Sequence, residues 1–154
     1  MKLFLFMHLA GAVMLLGNSV TAAFWKIRAD FSGDPKLKLQ TAKNILLADY
    51  WFTLPSIALI LLSGHLLASS AGYTVFAWSW LGLAYGLFVL SGVIWLSALL
   101  PAQIAMIRQG EISCAQGKMT GAFRRASLVW NVFGTAVTLA VIAAMALMVW
   151  KPHL

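Results

Sequence analysis

Four segments of this chain, residues 3–25, 50–71, 78–100 and 126–150, each run for more than twenty residues without a Lys, Arg, Asp or Glu. A helix needs about 20 apolar residues to cross a hydrocarbon layer about 30 Å thick. A helix of a water-soluble bundle would instead carry polar residues along one face. Composition agrees: 62% of residues are hydrophobic and 10% are charged, against about 25% charged in a soluble domain. The sequence therefore predicts an all-α membrane protein. Its four transmembrane helices form an antiparallel bundle, and residues 1–154 make one domain.

The net charge of +7 is distributed unevenly. Lys26, Arg28, Lys36, Lys38 and Lys43 lie between the first two apolar segments, and Arg108, Lys118, Arg124 and Arg125 lie between the last two. That is nine of the eleven basic residues, and positive loops stay in the cytoplasm. The expected topology has both termini outside, in a bacterial inner (plasma) membrane. The basic loops are expected to meet anionic lipid. No recognition motif accompanies the charge, so nucleic acid is not expected as a partner. The single cysteine, Cys114, allows no disulfide within the chain, and no C-x-x-C-H is present for covalent haem. The start, MKLFLFMHLAGAVMLLGNSVTAAF, has signal-peptide features. Cleavage would export the first basic loop, so an uncleaved first helix is expected.

Along the chain, helix 1 is expected to end near Trp25. A Gly-Asp-Pro turn follows, then a short amphipathic surface stretch around Leu37 and Leu39. Asp49 falls at the first turn of helix 2, where a carboxylate suits the helix dipole. Pro55 is expected to bend that helix in its early turns. Gly82 and Gly86 form a G-x-x-x-G that permits close helix approach. Pro101 marks either the inner end of helix 3 or a kink. Asn18, Thr21, Asn131 and Thr135 are expected to join helices by hydrogen bonds.

Two histidines lie inside apolar segments. His8 is about 7–8 Å from the start of helix 1, and His65 about 9 Å from the end of helix 2. Because these helices run in opposite directions, both imidazoles fall in one layer of the outer half. Bundles build cofactor sites from inward side chains on facing helices, and imidazole is an axial ligand of haem iron. No Cys, Asp or Glu lies at that depth, so a bare metal would have a thin ligand set. Haem b needs only one or two ligands and an apolar cleft. Gly11 and Gly64 would make room for a flat macrocycle, and Trp95 is a candidate wall. The plainer reading is that the histidines hydrogen-bond between helices and the glycines and Trp95 only pack. Directly facing helices, about 8–10 Å apart, are too close for two histidines to share one haem unless they splay. His153 is read as a solvated tail residue.

No nucleophile–base–acid constellation, Walker loop, dinucleotide fingerprint or H-E-x-x-H is present. A binding protein is expected rather than an enzyme, with a redox partner or a second copy of the chain as candidate protein partners. A structural or accessory membrane protein without a cofactor is the alternative.

The segments HLAGAVMLLGNSVTAAFWKIRA, ADYWFTLPSIALILLSGHLLA, SGVIWLSALLPAQ and LMVWKP, in that order, resemble a bacterial family of predicted integral membrane proteins, the domain of unknown function twenty-two sixty-nine. More distantly, His8 followed by Gly11 and Gly17 resembles HemJ-type protoporphyrinogen oxidases and CopD-type copper-resistance proteins. The HemJ likeness implies a haem-binding four-helix protein with a histidine in helix 1 and a lysine in helix 3. His8 matches the first, and helix 3 here has no lysine. The likeness thus leaves haem binding as the expectation and ranks oxidase activity and copper handling below it.

Overall fold

The computed structural model describes residues 1–74 and 78–152. It contains four long helices: α1 (Lys2–Phe31), α2 (Pro35–Ser70), α3 (Trp80–Gln116) and α4 (Gly121–Trp150). Each carries a window apolar enough to cross a membrane, and there is no strand among the described residues. Between 6% and 22% of each window is buried, so most of the apolar surface faces outward. Only a lipid solvent tolerates that.

Local chemistry sets the helix ends. Asp34 caps α2, its carboxylate accepting from the Lys36 amide at 2.9 Å, with Pro35 beginning the helix. Thr120 caps α4, its hydroxyl accepting from the Phe123 amide at 3.2 Å. Gly33, Gly72 and Gly117 take φ near +70°, where a side chain would be strained, and let the chain leave or enter a helix.

The helices run well past the apolar segments. α1 continues six residues beyond Trp25 to Phe31. The expected surface stretch at Leu37 and Leu39 is instead the first part of α2, and Leu39 packs against Gly110 of α3. Asp49 is not in a first turn: α2 begins fourteen residues earlier, at Pro35. Pro101 does not end α3, which continues to Gln116.

Both prolines follow a π-helical turn, Asp49–Thr53 in α2 and Trp95–Leu99 in α3. The Leu54 amide bonds to the Asp49 carbonyl and the Leu100 amide to the Trp95 carbonyl, five residues back in each case. A proline cannot donate, and its ring crowds the preceding turn. The wider turn accommodates both without ending the helix.

Contacts define two hairpins. Rising numbers on α1 meet falling numbers on α2: His8 with Ile60, Gly11 with Ser56 and Leu59, Asn18 with Asp49 and Thr53. The same holds for α3 and α4, where Leu99 lies under Gly134 and Ser113 bonds Thr120. The hairpins join at the end rich in basic residues, where Pro35–Ala48 packs on Leu100–Gln116 and the core of Ala42, Met106 and Phe123 lies. At the end carrying the termini, no described Cα of Leu54–Ser70 comes within 8 Å of one in Trp80–Ile94. There Lys151 sits 5.6 Å over the Trp80 ring, which stacks edge-on with Tyr73.

Hydroxyls in the apolar layer mostly satisfy themselves. Thr21, Ser91, Ser97, Thr135 and Thr138 each donate to the carbonyl four residues earlier. Thr21 and Thr135 thus bond within their own helices, and the exposed Asn131 side chain has no hydrogen-bond partner among the described residues. Of the four residues expected to join helices, Asn18 does so. A Cβ at Gly86 would meet nothing within 4 Å, so the G-x-x-x-G makes no close approach there.

Candidate functional site

The gap between the hairpins forms an apolar cleft of about 90 Å³. His8 and Leu15 of α1, Gly64 and His65 of α2, Tyr85 of α3 and Met145 of α4 are among its lining residues. The two intramembrane histidines therefore line one cleft. His8 is half-buried and its Nδ1 lies 3.1 Å from the Ile60 carbonyl. A carbonyl can only accept, so Nδ1 carries a proton in this arrangement, and in the neutral ring Nε2 keeps its lone pair. His65 is exposed along the cleft and hydrogen-bonds to no described residue.

The predicted glycines act differently from one another. At Gly64 a Cβ would sit 2.9 Å from His8 Cε1, so this glycine accommodates the imidazole itself. At Gly11 a Cβ would sit 3.0 Å from Ile60 Cγ1 and 3.1 Å from the Ser56 carbonyl oxygen. Gly11 brings α1 onto α2 and does not line the cleft. Trp95 lies in the π turn of α3, also away from it. His153 lies outside the described residues. Among the described residues, no three His, Cys, Asp or Glu side chains converge on a point where a metal ion could sit.

A second site, at the junction of the hairpins, was not expected. Asp49 is buried, and its Oδ1 accepts from Asn18 Nδ2 at 3.1 Å and Thr53 Oγ1 at 2.7 Å. Its Oδ2 accepts from Gln103 Nε2 at 2.8 Å. Asn18 also donates to Thr53 Oγ1 at 2.9 Å. Gln103 is 1% exposed, and its Oε1 has no partner among the described residues. Nearby along α1, Lys26 is 2% exposed; its ammonium donates to Asp30 at 2.5 Å and to Ser127 of α4 at 2.6 Å. The charge pattern assigned Lys26 to the basic loop, whereas it links the two hairpins inside the protein. A usable signal was present: an Asp and a Gln each lie within six residues of a proline flanked by apolar sequence.

Together these features define an integral membrane protein built from two helical hairpins, with a cleft at one end and a polar junction at the other. The chain belongs to the family described as "Predicted integral membrane protein (DUF2269)", whose model matches residues 2–152. No curated protein and no solved structure matches it.

Proposed function

We propose that the protein binds a b-type haem between its hairpins, in a bacterial inner membrane, and serves electron transfer or haem handling. The observation that carries this reading is the state of His8. Metal-ligating histidines commonly donate their other ring N–H to a backbone carbonyl, which fixes the tautomer and orients the ring. His8 does so through Ile60, on the wall of an apolar cleft. His65, on the same wall and hydrogen-bonded to no described residue, is the second candidate ligand. The cleft is smaller than the roughly 300–1,000 Å³ usual for a cofactor site. Binding must therefore part the hairpins, and among the described residues no backbone of Leu54–Ser70 packs closely on Trp80–Ile94 there. A haem there supplies a one-electron redox centre; the protein supplies ligand, orientation and an apolar surround.

The test is the absorption spectrum of purified protein, oxidised and then reduced. Sharp Soret and alpha bands that weaken or shift in His8→Ala and His65→Ala support the reading. A featureless spectrum after expression with ample haem overturns it. The charge bias further supports a topology with both termini outside. Labelling of Cys114 in intact cells by an impermeant thiol reagent would contradict that topology. With no lysine in the apolar part of α3, the protein is expected not to oxidise protoporphyrinogen above the spontaneous rate, measured by porphyrin fluorescence.

The second reading is a structural membrane protein in which His8 only joins α1 to α2. The fit of its ring against Gly64 favours this. It predicts that His8→Ala lowers stability with no spectrum to lose.

A further inference from the structure

We propose that the polar junction is a binding site for a monovalent metal cation, sodium in the first instance, held between Asp49 and Gln103. Asp49 brings a carboxyl group into a site where every described partner is a neutral donor. The nearby buried cation, Lys26, is already paired with Asp30. Gln103 Oε1 is buried without a partner among the described residues, which costs free energy unless a donor or cation meets it. With Asp49 ionised, turning the amide over would give Oε1 no better partner, because it would then face an acceptor and leave the N–H groups orphaned. The junction is thus short of positive charge and rich in acceptors.

Geometry and oxygen chemistry fit a hard cation. Within an amide, oxygen and nitrogen are about 2.3 Å apart by covalent geometry. With Nε2 at 2.8 Å from Asp49 Oδ2, Oε1 lies within about 5 Å of that carboxylate oxygen. Where the two oxygens lie closer than that bound, they can share a hard cation on the side away from Nε2, with bonds of about 2.3–2.6 Å such as calcium makes to oxygen. One carboxylate balances one monovalent charge. Because Asn18, Asp49 and Gln103 belong to α1, α2 and α3, the ion would tie three helices where the hairpins join.

The experiment uses the full chain purified in detergent. Its unfolding midpoint is followed by tryptophan fluorescence in sodium, potassium or choline chloride at equal ionic strength. Sodium is expected to raise the midpoint by about 3–5 °C over choline at ten times the dissociation constant, saturating with concentration. The rise should vanish in Asp49→Asn and shrink in Gln103→Leu. Equilibrium binding of radioactive sodium to the wild-type protein gives a second readout that does not depend on variants folding. One ion bound per chain, displaced by unlabelled sodium, supports the site. Identical midpoints in all three salts, or no saturable binding, would show that only water or a proton completes the junction and would overturn the proposal.

Discussion

The two ends of this molecule solve opposite problems with the same four helices. At the end carrying the termini, the described backbones of Leu54–Ser70 and Trp80–Ile94 do not pack closely, and an apolar cleft lies between the hairpins. At the basic end the helices converge. Met106 and Ala42 are fully buried, and Asp49, Gln103 and Lys26 are enclosed in hydrogen bonds and an ion pair. Lipid tails are as apolar as leucine side chains, so within the membrane no hydrophobic force pulls the cleft shut. Polar groups removed from water do have such a force, because each must find a partner. Cohesion is therefore concentrated at the junction, and the cleft end is free to respond to an occupant.

The comparison breaks most severely at Asp49. Asp49→Ala leaves donors of Asn18, Thr53 and Gln103 without an acceptor, at about 1–3 kcal/mol for each buried group. A loss of about 3 kcal/mol or more is expected, read as a lower unfolding midpoint in detergent. Leu61→Ala, at the cleft wall, should lose less than half of that. Equal losses would mean that cohesion is not concentrated at the junction.

Helix approach gives the next effect. Gly11→Ala places a Cβ against the Ser56 backbone oxygen and two side chains, and should cost about 1–3 kcal/mol as overpacking. Gly86→Ala meets nothing within 4 Å and should be neutral or stabilising by up to about 1 kcal/mol, through helix propensity. Thermal unfolding of the two variants side by side tests whether α1–α2 is the tight pair.

Gly64→Ala should act chiefly on His8. The new methyl displaces a ring rather than backbone, so a stability change of about 1 kcal/mol is expected. The imidazole resonance of His8 should shift, reporting loss of its bond to Ile60. An unchanged resonance would mean that the ring is not seated against residue 64.

The smallest effect is expected at Lys43–Glu111, which spans α2 and α3 at 2.9 Å with side chains 43% and 56% exposed. Solvent-exposed pairs contribute about 0–1 kcal/mol. Lys43→Ala should therefore leave the midpoint almost unchanged, and more so at high salt. A large loss would mean that the surface, rather than the buried network, joins the hairpins.

The four spans were legible because twenty uncharged apolar residues have few alternatives to crossing a membrane. For the histidines, counting residues at the helical rise predicts one layer of the membrane, and the structure shows His8 and His65 lining one cleft. The helical extensions at the basic end were not legible. Residues 26–48 and 101–125 mix charge, turn residues and apolar positions, and that pattern fits a loop as well as a helix continuing into water. The position of Asp49 is hidden for the same reason: the edge of an apolar segment looks like the start of a helix, whereas α2 begins at Pro35.

By itself, then, the sequence determined what is set by solvent and local chemistry: four apolar spans, the Gly-Asp-Pro turn at residues 33–35, and prolines at 55 and 101 that perturb their helices. Tertiary structure decided which polar groups meet. Asn18, Asp49 and Gln103 are separated by 31 and 54 residues along the chain, and hydropathy is blind to such pairings. They come together because three helices cross at one depth, and burying any one of them is tolerable only when the others are there to bond it.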